Sequence, residues 1–181
     1  MKLLDLFRKK PSVSAEANER WLHGHRAFEA GKKHFAARRE QEAVGCFDAA
    51  LEYGFETAAL FSLRGTCLQS LGWHLDAIDD FTKAISTEPQ DCNLYFQRAM
   101  SKSSTGDEQG FIADIQDAIR LSKVDSALNR NYNLGAKDMG WHSTAAMYEG
   151  QAALSADSPD FIIDKKIERT KLRGRRKDKT Q

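Results

Sequence analysis

No apolar run in this sequence of 181 residues exceeds a few side chains, whereas a helix that crosses a bilayer needs about 20. The opening residues Met1 to Phe7 are too short and too charged for the apolar stretch of a secretory signal. Cysteine is scarce: Cys46, Cys67 and Cys92 are odd in number and unpaired in spacing, as free thiols in a reducing compartment are. A soluble, cytoplasmic protein is therefore expected. Catalytic signatures are missing too, with no GxxxxGK phosphate loop, HExxH, GxSxG or CxxC run. His23 and His25, two apart on a presumed helix, point to different sides and do not chelate one metal as an i, i+4 pair could. The expectation is a protein that is not an enzyme and holds no metal or cofactor.

What the chain does have is 41% hydrophobic residues, enough for the core of one ordinary domain. Its net charge of +1 hides an uneven distribution. Residues 1–10 carry Lys2, Arg8, Lys9 and Lys10 against Asp5, and residues 165–181 carry nine Lys or Arg against Glu168 and Asp178. With +3 and +7 at the ends, the body between them is at −9.

Laid on itself at a shift of 34 residues, the body repeats. Ala50, Ala84, Ala118 and Ala152 form one column, and Ala43, Ala77, Phe111 and Ala145 another, seven residues earlier. Between them run Phe47, Phe81, Ile115 and Glu149. Gly31, Gly65, Ala99 and Asn133 head the four copies, and Gly72, Gly106 and Gly140 mark a mid-repeat turn where the first copy has Arg38. Apolar positions such as Ala77, Ile78, Phe81, Ala84 and Ile85 follow helical spacing. Pro89 and Pro159 mark where second helices stop. Met139-Gly140-Trp141-His142 repeats Leu71-Gly72-Trp73-His74 two periods on, so the fourth copy is a real repeat, degenerate in its Asn129, Asn131, Asn133, Gly135 and Glu149.

This pattern resembles the tetratricopeptide repeat (TPR), a helix–turn–helix of 34 residues. The copy at 58–91 matches best, through Phe61, Gly65, Leu68, Gly72, Ala77, Phe81, Ala84 and Pro89. The resemblance implies an all-α fold: a right-handed α-solenoid of about four TPR helix pairs, the fourth degenerate, plus a C-terminal capping helix. The expected organisation is an N-terminal amphipathic segment at 1–17, a TPR domain at 18–159 with repeats at about 24–57, 58–91, 92–125 and 126–159, and a capping helix with basic tail at 160–181.

The resemblance also implies where a partner binds. In the family the first helix of each pair lines a concave face. The matching positions put Phe28, Lys32 and Phe35 there from the first copy, Phe96 and Met100 from the third, and Arg130 and Lys137 from the fourth. Phe28, Phe35, Phe96 and Met100 are expected as apolar anchors, and the cations toward the two ends as contacts for acidic groups. Packing inside the stack is the alternative for the aromatics. The set of Lys, Asn and Arg with which some TPR domains clamp a terminal carboxylate is incomplete: its positions hold Phe28, Lys32, Leu63, Asn93 and Gln97.

The expected function is a non-enzymatic adaptor that binds a protein or peptide segment in its groove. The alternative is a small TPR chaperone that holds an apolar segment of a client, as the chaperones of bacterial type III secretion translocators do. The basic tail is open to three readings: a solvated end, a weak contact with nucleic acid, ribosome or anionic membrane, or a screen for the acidic body. Met1 to Lys10 could lie on an anionic membrane, fray, or pack on the first repeat.

Overall fold

The computed structural model of the chain describes residues 14–124 and 126–155. The segment 1–13, Pro159, the capping helix expected from residue 160 and the basic tail lie outside the described residues. Eight α-helices account for most of the rest: α1 (Ala15–Ala36), α2 (Glu40–Glu52), α3 (Ala58–Ser70), α4 (His74–Thr87), α5 (Cys92–Thr105), α6 (Glu108–Ser122), α7 (Ala127–Asp138) and α8 (Thr144–Ser155). None of them is long and apolar enough to cross a membrane.

Local signals set the helix ends. Ser14, Thr57, Asp91 and Ser126 start the first helices α1, α3, α5 and α7, each accepting a hydrogen bond from a backbone N–H of the first turn. Thr57 and Asp91 stand one repeat apart. Gly72, Gly106 and Gly140 turn the chain from first to second helix at φ of 81°, 79° and 86°. Arg38 makes the same turn at φ 56°, a left-handed conformation that costs a residue with a Cβ about 1–2 kcal/mol.

Helices α1 to α6 pack as three antiparallel pairs, and each new first helix rests mainly on the preceding second helix. The distance within a pair depends on one small residue facing one large one. A Cβ added to Gly31 would stand 2.5 Å from Phe47 Cε1, and one added to Gly65 would stand 3.0 Å from Phe81 Cε1. In the third pair Ala99 and Ile115 hold these positions, and both are fully buried. One core cluster gathers around Phe28, Phe47, Phe61 and Phe81, a second around Phe96, Phe111, Ile115 and Tyr148.

The fourth copy departs from the pattern. Its matching residues are Asn133 and Glu149, which cannot repeat a close apolar contact, and α7 and α8 touch far less than the partners of the other pairs. Helix α8 instead packs on α6 and reaches α5, much as α5 sits on α4 and reaches α3. It thus holds the place expected for the first helix of a fourth repeat. Helix α7 meets the body through its first two turns: Asn129 Nδ2 donates to the carbonyls of Leu121 and Val124, and the Tyr132 hydroxyl donates to Asp91. Its Leu128 and Leu134, and Met139 just after its end, stay exposed.

Replacing Gly31 with alanine is expected to lower stability by about 1–3 kcal/mol, the usual range for overpacking. The double variant G31A/F47I recreates the pairing of Ala99 with Ile115 and is expected to recover most of that loss. Urea denaturation decides it, and a double variant no more stable than G31A refutes the account. In the same assay, Arg38→Gly is expected to gain about 1 kcal/mol by relieving the left-handed turn.

Candidate protein-binding groove

Helices α1, α3 and α5 form the inner layer, each touching the next. On α3 and α5 this face is polar and largely uncharged. Ser62, Thr66, Asn93 and Ser103 are half-buried, and Thr66 Oγ1 donates to the Ser62 carbonyl. Gln69 Nε2 bridges to the next repeat, donating to the Gln97 carbonyl and to Ser101 Oγ. Each of these groups offers hydrogen bonding without a fixed charge.

The charges have gone elsewhere, into a ladder between the layers. Arg64 on α3 forms a two-pronged pair with Asp80 on α4, Nε to Oδ2 and Nη2 to Oδ1 at 2.7 Å each, and Nη1 reaches Asp48. One repeat on, Arg98 pairs with Asp114 at 2.8 and 2.7 Å, its Nη1 donates to Thr82 Oγ1, and Lys102 adds a contact to Asp114 at 2.9 Å. Asp80 and Asp114 are only 1% and 3% exposed. Hydrogen bonding to those carboxylates outweighs burial and holds both guanidiniums more firmly protonated than usual. The first copy has Ala30 and Cys46 at these positions and the fourth has Tyr132 and Tyr148, so the ladder spans the middle of the stack. Neither rung was expected from the sequence, although Arg64 with Arg98 and Asp80 with Asp114 form columns at the repeat period.

The expected groove residues divide into three groups. Phe28 and Phe96 are 8% and 6% exposed, and their placement as open anchors is corrected. Phe28 packs between Phe47 and Phe55, because Phe55 stands where the second copy has Pro89 and supplies a ring for it to meet. Phe96 lies face to face with Tyr148 of α8, centroids 4.4 Å apart. Phe35 and Met100 are half-buried against the two core clusters and keep part of their surface. Lys32 is exposed, paired with Glu29 at 3.0 Å and set over the Phe28 ring. Arg130 and Lys137 are exposed on α7, outside the layer formed by α1, α3 and α5. Arg130 instead lines a cleft of about 370 Å³ with Lys123, Asn129, Asn133 and Ser143.

One feature of the inner face lay outside the repeat register. Helix α1 begins at Ala15, ahead of the expected repeat, and its added turns carry Trp21. Trp21 is 54% exposed, stacked on His25 with centroids 5.1 Å apart and tilted against Phe55. Helical spacing aligns Trp21, His25, Phe28 and Lys32 on one side of α1. Gly24 makes the arrangement possible, since a Cβ there would stand 2.5 Å from Phe55 Cβ. His23 points away and stacks on Tyr53.

Cys67 and Cys92 are fully buried; burial pushes the Cys67 thiol up to about 11 and raises that of Cys92. Packing is the part such protonated thiols play. Among the described residues no group of three or more His, Cys, Asp or Glu could hold a metal ion.

No protein-family model matches the chain. Over 133 residues it is 29% identical to Protein FlbA of Caulobacter vibrioides, covering 69% of this chain. That match spans only 22% of FlbA's length. Solved structures share the fold. MamA is 16% identical with a TM-score of 0.54, over 73% of this chain and 77% of MamA. YrrB, described as a TPR protein with an unusual peptide-binding site, is 19% identical with a TM-score of 0.54, over 79% and 74%. The TPR2B domain of yeast Sti1, in a complex with pHsp70, is 20% identical with a TM-score of 0.52, over 79% and 100%.

Asp80→Ala leaves the Arg64 guanidinium without its buried partner and is expected to cost about 3–5 kcal/mol. The double variant R64A/D80C installs the residues of the first copy and is expected to cost much less than D80A alone. A chemical-denaturation cycle over the three variants measures the difference, and equal losses would refute the account of the ladder.

Proposed function

We propose that this chain, a tetratricopeptide-repeat protein by its fold, is a non-enzymatic interaction module that binds an extended segment of a partner protein along the inner face of α1, α3 and α5. The observation that carries the reading is the Trp21–His25 shelf. A half-exposed tryptophan, held by stacking and by the Tyr53–Phe55 turn, is ordered before any partner arrives, so little side-chain freedom is lost on binding. Tryptophan is also among the residues that most often dominate binding energy.

From that shelf the face continues through Lys32, the neutral groups of α3, and Asn93 and Met100 of α5. A peptide lying there would set one apolar or aromatic side chain on Trp21, hydrogen-bond its backbone to the neutral groups, and bring an acidic group to Lys32. The peptide site named for YrrB and the complex named for the Sti1 domain support a peptide ligand as the kind of partner. An open apolar groove would favour a chaperone for client segments. With Phe28 and Phe96 closed off and half-buried neutral polar groups lining the face, the adaptor is the better supported of the two.

Peptides selected from a random library against the full chain provide the test. Trp21→Ala is expected to weaken the selected peptides at least tenfold, about 1.4 kcal/mol, with the helical content of the chain retained. Met100→Ala is expected to weaken them less. Peptides that bind W21A as tightly as the parent would sink the groove reading.

A further inference from the structure

Helix α8 sits in a place that the repeat pattern assigns to another helix. It fills the slot on α5 and α6 with Tyr148, stacked on Phe96 at an interplanar angle of 13°, and with Ala152 one turn further on, fully buried. The stack thus has a helix-receiving face at its C-terminal end, floored by Phe96, Phe111, Ile115 and Leu121.

What holds α8 there is imperfect. Its own hairpin partner α7 touches it little. Thr144 is 1% exposed, and its hydroxyl finds no hydrogen-bond partner among the described residues, a loss that undocking into water restores. Gly150 lies inside the helix, where glycine is a poor helix former, and the space its missing Cβ leaves is taken by Trp141. Asn131 and Gly135 are poor helix formers within α7, although Asn129 anchors its start to the Leu121 and Val124 carbonyls and Asn133 Oδ1 accepts the Thr144 N–H.

We propose that the α5–α6 face under α8 is a second docking surface, which takes an amphipathic helix carrying an aromatic residue and, one turn on, a small one, and that α8 is its resident, displaceable occupant. The proposal rests on the reading of the chain as an interaction module, but it concerns a different face from the Trp21 groove. The required chemistry is read from α8 itself: a flat ring to stack on Phe96, then alanine or glycine to allow close approach to α6. A partner helix competes with an occupant on the same chain, whose effective concentration is high, so it binds well only where it packs better than α8 or where α8 is weakened.

The experiment uses the full chain and a labelled synthetic copy of residues 141–155. By hydrogen exchange, the amides of α8 are expected to exchange at least tenfold faster than those in the middle of α5 and α6, because α8 opens by itself. Tyr148→Ala is expected to raise affinity for the peptide at least tenfold over the parent chain and to leave the exchange of α3 and α4 unchanged. Tyr148→Phe keeps the ring stack and is expected to behave like the parent. If α8 exchanges no faster than α5 and α6, or if Y148A gains no affinity for the peptide, the proposal is overturned. Trp21→Ala is expected to leave this titration unaltered, so failure of the groove reading and failure of this one appear in separate measurements.

Discussion

The constraint on which the rest of this molecule depends is the approach of two helices where a small residue faces a large ring. Gly31 against Phe47 and Gly65 against Phe81 leave no room for a Cβ without displacing the ring. That contact sets how closely each pair packs. It thereby decides whether the alanine column Ala50, Ala84 and Ala118 is sealed from water, as it is. The third pair meets the same constraint differently, with a methyl group on one side and isoleucine on the other. The fourth cannot meet it. An asparagine set against a glutamate would gain nothing from a dry, close contact, because both groups would have to be desolvated, and Asn133 accepts the Thr144 N–H instead. The parting of α7 from α8 follows from those two residues, and the move of α8 onto α5 and α6 follows from the parting, because Tyr148 and Ala152 still have to be buried.

The Arg–Asp rungs are a second layer of order on that frame. A buried ion pair contributes little net stability once desolvation is counted, yet breaking one is costly. Arg64 and Arg98 therefore bear more on register than on total stability. Each guanidinium satisfies a carboxylate of its own pair and reaches a residue of the preceding second helix, Asp48 or Thr82. A slip between repeats would strand both ends. With Arg64, Arg98 and Lys102 committed between the layers, α3 and α5 have no other cation to present along the inner face. Selectivity there has to come from hydrogen bonding and shape more than from charge.

The repeat was legible in the sequence because its signal is periodic: the alanine, aromatic and glycine columns recur at one spacing, and each has a steric reason to recur. The degeneracy of the fourth copy was legible too, through Asn133 and Glu149. What could not be read was its outcome, since a column records which residues correspond and not which helix wins a slot once the pairing contact fails. The rungs could have been found, for Arg64 with Arg98 and Asp80 with Asp114 recur at the same period. They escape a search for apolar columns because they are polar.

The placement of groove residues was the least legible part, and the reasons are local. Position rules carried from a family assume that a ring on the first helix meets open groove. Phe28 instead meets Phe55, in a turn where the second copy has Pro89, and Phe96 meets Tyr148, which only a displaced α8 can bring to it. In both cases a ring that should face a ligand is covered by another ring of the same chain, since burying two apolar faces against each other gains more than wetting both. Trp21 is the converse. It falls before the first repeat and belongs to no column, yet the close packing of the Tyr53–Phe55 turn at Gly24 fixes it beside His25. A half-exposed tryptophan held in place from below, with no further ring laid over it among the described residues, is what the buried anchors would have been had the chain not closed over them.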